Sequence, residues 1–284
     1  MTSKTKYIKT YKDTKISDPM IYEIIADKDN TESTVIIDAE ENSKSEIIII
    51  YRSKENYNIE YKAQCTINAE NNSFVKVTKI NLMNDSIHFE DVNESFIKDE
   101  AECLFSLIDI GAQTSSVKYS GNLEGRNSKN EIKSIYIGSA EKKINNDYEC
   151  IHRGAKSSSD ISVRGALAEN AVKKFKGTID FRRGCSGSKG AEDEYCMLLS
   201  DKARSIALPI LLCEEEDVSG AHSASSGKID ESKIFYLMSR GLGYNEARKL
   251  IVKSQFNEVI DEINDSDLIE EIIREIDRRL DDDR

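Results

Sequence analysis

Cys213 ends an apolar run, Pro209-Ile210-Leu211-Leu212-Cys213, and four acids follow it at once, Glu214-Glu215-Glu216-Asp217. A thiol beside carboxylates has its thiolate disfavoured by like charge until a cation arrives, which suits a metal ligand and not a free nucleophile. If the run continues as a strand, Cys213, Glu215 and Asp217 share one face and Glu214 and Glu216 the other. The plainer reading is a buried strand cysteine with a solvated acidic edge. His222 follows in Gly220-Ala221-His222-Ser223, read as a turn whose small neighbours leave the ring accessible. Its neutral imidazole can bind a metal or hydrogen-bond across a contact between copies; the alternative is a simple polar turn residue. Glu215 and Asp217 also allow a third chemistry, paired acid and base on a polysaccharide. His88 and His152 read as ordinary surface or rung residues, and Cys65, Cys103 and Cys150 as core packing, with Cys185 a loop thiol of open role.

The bulk numbers narrow the partners. At 284 residues the chain is one large or two modest domains, with length enough for a proper core. Hydrophobic residues make up 38% and charged residues 32%, and two prolines without tryptophan suit a long regular scaffold. A formal charge of −12 argues against a general nucleic-acid binder and fits a basic partner or a metal cation better. Part of that acid sits in the tail Asp281-Asp282-Asp283. The start, MTSKTKYIKTYKD, has no apolar core of a signal sequence, and no stretch is apolar enough to span a bilayer, so a cytoplasmic protein is expected. Six cysteines without a Cys-x-x-Cys pair then read as reduced thiols, and a structural zinc site is not expected.

Three segments must position these residues. Residues 1–30 carry weak helical periodicity broken by Pro19 and read as an entry segment. Residues 31–228 are short β-branched runs such as Glu46-Ile47-Ile48-Ile49-Ile50-Tyr51 and Gly177-Thr178-Ile179-Asp180-Phe181, separated by Asn, Asp, Gly and Ser. No strict repeat stands out, and the texture fits a sandwich, a barrel or a solenoid. From 229 to 284 the period becomes helical. Asp230 is a plausible N-cap for a helix with Ile234, Leu237 and Met238 on one face, stopped at Gly241. A second helix is expected over about 245–263, and a third capped by Ser266 with the stripe Ile269, Ile272, Ile273, Ile276, Leu280. These helices either form a docking module or cap an open solenoid end.

One stretch carries a family resemblance. Leu198-Leu199-Ser200-Asp201-Lys202-Ala203, Pro209-Ile210-Leu211, Asp217-Val218, His222-Ser223-Ala224 and Gly227-Lys228-Ile229-Asp230 follow one another, and then Ile234-Phe235-Tyr236-Leu237-Met238-Ser239-Arg240-Gly241-Leu242, Glu246-Ala247 and Leu250-Ile251. This order and spacing over residues 197–256 resembles the SufB/SufD family of iron–sulfur cluster assembly proteins, and co-linear elements are far more specific than one short motif. The resemblance implies a mainly β protein, a right-handed parallel β-helix (31–228) followed by a small helical domain (229–284). It implies a non-enzymatic scaffold on which iron and sulfide, brought by an iron source and a sulfur donor, form a transient cluster. A SufC-like ABC-type ATPase hydrolyses ATP as the partner, with no nucleotide on this chain.

The same resemblance sorts the residues. His222 matches a histidine common to both branches, and with Cys213 it implies a cluster at a dimer interface. The SufB-branch cysteine before the LLLSDKA-like strand falls on Glu194, and Cys196, two residues on and on the same strand face, is its implied substitute. The carboxylate after the histidine falls on Ser223, so either Glu215 or Glu216 supplies it or nothing does. The implied ligand set is therefore Cys213, His222, Cys196, Glu215 and Glu194. Ile234, Phe235, Tyr236, Leu237, Arg240, Gly241 and Leu242 become the implied ATPase contact, with the aromatics and Arg240 as anchors. The chain is short for SufB, which suggests a homodimer in a minimal system; a heterodimer with a SufB/SufD homologue, or a SufD-like subunit that holds no cluster, is the alternative.

Overall fold

The computed structural model describes residues 4–54 and 58–281. Odd-numbered strands form one parallel sheet: β1 (Lys4–Thr10), β3 (Glu32–Ala39), β5 (Ile59–Ala69), β7 (Ile87–Ile97), β9 (Thr114–Leu123), β11 (Lys143–His152), β13 (Val172–Phe181) and β15 (Arg204–Cys213). Even-numbered strands form the other: β2 (Met20–Ala26), β4 (Lys44–Ser53), β6 (Phe74–Asn81), β8 (Glu102–Asp109), β10 (Lys129–Gly138), β12 (Ser158–Leu167), β14 (Ser188–Leu198) and β16 (Val218–Lys228). Each odd–even pair is one coil, and eight coils stack as a parallel β-helix, the solenoid among the three textures the sequence allowed. Register offsets run from 26 residues, His88 on Thr114, to 32, Val172 on Arg204.

The two sheets differ in a way their sequences explain. In β5, Ile59, Tyr61, Ala63, Cys65, Ile67 and Ala69 point into the lumen while the residues between them meet solvent. In β4, Ile47 to Tyr51 are buried without a break, because this sheet is covered on both faces. Its outer cover is the helical segment: α1 (Glu231–Ser239), α2 (Tyr244–Ser254), α3 (Asn257–Ile260) and α4 (Ser266–Asp281). Ile48, Ile80, Ile108, Ile135 and Ile137 pack there with Ile251, Phe256, Ile260, Ile272 and Ile276, each burial worth about 1.5–3 kcal/mol. Ion pairs Arg52–Glu271 and Arg279–Asp85 tie α4 back to the early coils.

Several expectations change. Residues 4–10 and 20–26 are strands of the solenoid and not helical; Lys, Thr and Tyr there alternate with too few apolar positions to register, and the ladder with β3 and β4 supplies the order. The second helix breaks into α2 and the single-turn α3, and the α4 cap is Asp265, whose Oδ1 accepts from the Leu268 amide at 3.0 Å, instead of Ser266. Asp230 does cap α1, accepting from the Ser232 amide, and Gly241 leaves the helix at φ +98. The helices lie on the face of the even sheet and not over the end of the solenoid, since β15 and β16 keep most residues exposed. The LLLSDKA-like strand ends at Leu198, and Leu199 to Ala203 turn into β15. Asp282 and Asp283 lie outside the described residues.

Candidate functional site

The last coil carries the two side chains named first. Cys213 ends β15 and is exposed. His222 lies in the middle of β16, a strand and not the expected turn, and is exposed too. Parallel register assigns them columns: Cys213 stands over Phe181, and His222 over Glu192. Phe181, Glu192, Glu194 and Cys196 all face inward on the seventh coil, so Cys213 and His222 continue lumen-facing columns into the open mouth.

The acidic turn is differently placed. Strand β15 stops at Cys213, so Glu214 to Asp217 form the turn to β16 and do not alternate faces with the thiol. The carboxylates are occupied by the turn below. Glu214 meets Arg182 at 3.2 Å, Glu215 Oε2 accepts from the Gly184 amide at 3.0 Å, and Ser186 Oγ donates to Asp217 at 2.7 Å. Glu215 Oε1 accepts from the Glu216 amide as well, so Oε2 ties one turn to the next while Oε1 is held within its own turn. Cys185 sits just beneath, packed with Ile179, Phe181 and Val218.

Glu194 and Cys196 share a strand face, and both are fully buried one coil further in. Glu194 is ion-paired with buried Lys173 and accepts a hydrogen bond from Tyr136 at 3.3 Å. Burial pulls the Lys173 ammonium down and Glu194 pulls it back up, while burial pushes the Cys196 thiol up. Glu192 is 3% exposed, and its Oε1 has no hydrogen-bond partner. Burial, then the charges of Glu194 and Asp193, push its carboxyl up to about 7. The five residues implied as ligands thus fall into an open pair, an engaged turn carboxylate and a sealed pair. Among the described residues no three His, Cys, Asp or Glu side chains are gathered around a metal position.

Sequence reasoning missed Glu192 and Lys173. The signal for Glu192 was present: the alternation that linked Glu194 to Cys196 runs one step back to it. Lys173 had none, because its pairing crosses from one sheet to the other.

On the helical segment, Ile234 is buried and anchors α1, while Phe235 (74% exposed) and Tyr236 (57%) face outward, which excludes core packing for them. Arg240 lies over the Tyr236 ring at 5.3 Å. Leu237 lines a cleft of about 470 Å³ between α1 and α2 with Tyr236, Leu250 and Ile251. Leu242, after the exposed Gly241, packs partly on the same core as Ile234. No helix among the described residues is long and apolar enough to cross a membrane.

Comparison with known proteins agrees with this architecture. The family model for the SUF system FeS cluster assembly SufBD core domain matches residues 24–255. The iron–sulfur cluster assembly protein SufD of Bacillus subtilis is 31% identical over 159 residues, covering 56% of this chain and 36% of that protein. A SufBD family protein of Galdieria sulphuraria is 28% identical over 141 residues, half of this chain and 64% of its own length. One from Mycobacterium leprae is 22% identical over 204 residues, 69% of this chain and 52% of that protein. The chain therefore spans from about a third to just under two thirds of the length of these relatives. With most of its length matched, the chain belongs to the SufBD core family of the SUF system for iron–sulfur cluster assembly.

Proposed function

We propose that this protein is a scaffold subunit on which an iron–sulfur cluster is assembled at a contact between two such subunits, driven by an ABC-type ATPase of the SufC kind. The observation that carries this reading is the unfinished last coil. Among the described residues, strands β15 and β16 each have a sheet neighbour on one side only, so their outer backbone edges are unpaired. Ile206, Leu208, Leu211 and Leu212 are exposed there, at 51%, 55%, 38% and 44%. An apolar open edge is a template for pairing with another chain, and a two-fold contact there sets two copies of Cys213 and His222 against each other. Iron and sulfide arrive as substrates from an iron source and a sulfur donor. Thiolate and imidazole suit a nascent cluster that must later leave. The chain itself binds no nucleotide and turns over no substrate; ATP is hydrolysed by the partner, received on Phe235, Tyr236 and Met238 of α1, Arg240 at its C-terminal cap and the cleft beside it. The setting is the cytoplasm.

The test is anaerobic reconstitution with iron and sulfide, together with sedimentation. Visible charge-transfer absorbance should appear in the wild type and fall in Cys213→Ser and His222→Ala. Leu208→Glu should shift the sedimenting species to monomer. Phe235→Ala should weaken ATPase co-purification by at least about tenfold, the scale of an aromatic hot spot.

A second reading has its own support. Glu215 is consumed by the turn, Glu194 and Cys196 are sealed, and the Bacillus relative is named SufD. A SufD-like structural subunit would bind the ATPase and a homologous scaffold without holding a cluster. Absorbance that is absent, or unchanged in both variants, selects it. Sugar cleavage by Glu215 and Asp217 has little left to stand on, since both carboxylates are engaged in the turn.

A further inference from the structure

Strand β14 sends three functional groups into the lumen, and they are not treated alike. Glu194 has Lys173 and Tyr136, and Cys196 lies in the column capped by Ser226. Glu192 has neither a hydrogen bond to Oε1 nor a lysine or arginine within ion-pair distance among the described residues. Burying a carboxylate without partners is costly, and such a group survives where something else repays it. The opposite wall has been cleared for it. A Cβ on Gly177 would lie 2.8 Å from the Glu192 carboxyl carbon and 2.9 Å from Oε2, so glycine leaves room for this side chain to extend across the lumen as it does.

The coil above completes the arrangement. The inward positions of β15 are Ser205, Ala207, Pro209, Leu211 and Cys213, and those of β16 are Val218, Gly220, His222, Ala224 and Ser226. His222 is the imidazole among them, and it stands directly over Glu192 in the ladder. Neighbouring strands lie about 4.8 Å apart, a span that a nitrogen and an oxygen from adjacent residues bridge through one ion at about 2.1 Å from each. A cation entering the mouth meets the exposed ring first and the buried carboxylate behind it.

We propose that Glu192 and His222 form a two-ligand half-site for a borderline divalent transition metal, Fe2+ in the cell, which holds iron at the open coil before sulfide arrives. Imidazole with carboxylate selects this class over Mg2+ or Ca2+, which prefer oxygen alone, and over Cu(I), which prefers sulfur. Two protein ligands with water in the remaining positions bind weakly and release readily, as a loading step requires. The inference rests on the reading of the last coil as the place where iron is handled.

The test uses the full chain and Co2+ as a spectroscopic stand-in, titrated anaerobically and followed by its visible d–d bands and by calorimetry. Glu192→Gln and His222→Ala should each lower Co2+ affinity by at least about tenfold. Glu192→Asp should retain part of the affinity, and Asp193→Asn, one residue away on the outer face beside Arg164, should match wild type. Circular dichroism checks that Glu192→Gln is folded. Affinity within twofold of wild type in Glu192→Gln overturns the proposal, as does a wild type without Co2+ bands. If His222→Ala alone loses affinity, Glu192 is no ligand while the open-coil reading stands. If both variants lose affinity but reconstitution yields no charge-transfer absorbance, the half-site stands and the scaffold reading falls.

Discussion

The seventh and eighth coils, β13–β14 and β15–β16, are built on the same ladder yet offer opposite chemistry. In the seventh, Cys196, Glu194 and Lys173 are sealed from solvent, and the charges are spent on each other. In the eighth, Cys213 and His222 occupy inward-facing columns of the same lumen and are exposed because no ninth coil covers them. Residue type is similar in the two places; what differs is whether a further strand lies above. A solenoid therefore makes a reactive surface by stopping, and the last coil, unlike the seventh, has a coil on one side only.

That contrast is easiest to break through the thiols. The native protein should give one fast equivalent of thiol to an aromatic disulfide reagent, from Cys213. Cys103 and Cys150, held protonated with pKa values pushed up to about 12 by burial, should react at least about a thousandfold more slowly, and Cys196 with them. Cys213→Ser should remove the fast phase. A fast thiol from the seventh coil would erase the distinction.

Stability should divide along the same line. Lys173→Met leaves Glu194 buried without its cation and should cost about 3–5 kcal/mol in urea unfolding. Cys213→Ser and His222→Ala, on exposed positions, should stay within about 0.5 kcal/mol of wild type. Equal losses in the two coils would mean that the last coil is as tightly integrated as the seventh.

His152 sharpens the comparison with pH. His152 is fully buried, with its ring nitrogens 2.8 Å from Ser157 Oγ and Ser159 Oγ, and burial lowers its pKa to about 4. The unfolded chain takes up that proton from about pH 6.5 downward while the folded chain resists it to about 4. Stability is therefore intact above pH 6.5 and falls through the window down to pH 4, by about 3 kcal/mol from this group. In His152→Asn that part of the pH profile should flatten.

Much of this was legible in the sequence. The helical tail, the Asp230 cap and the stop at Gly241 follow from local patterns that tertiary packing did not override. The coil repeat was legible too but faint. Asn42, Asn72 and Asn127 take left-handed backbone at equivalent corners, each followed by a buried serine, Ser43, Ser73 and Ser128, at spacings too irregular to read as a repeat. The candidate site was half legible. Glu194 and Cys196 share the face expected, but their sealing depends on Lys173 and Tyr136, which reach them from other strands. His222 sits among Gly, Ala and Ser, a composition that argues for a turn, because the ladder with β14 supplies the strand order that local propensity lacks.

By itself the sequence determined which residues are available for chemistry, the mainly β texture with a helical end, and the family those co-linear motifs resemble. Tertiary structure alone decided which of the candidates are reachable. Accessibility in a solenoid is set by the coils above and below, some thirty residues away in the chain, and no local pattern encodes that distance. This is why Glu215 proved to be a fastener between turns, why Glu192 emerged unpartnered beneath His222, and why Cys213 stands open while Cys196, on the other sheet of the coil below, is closed.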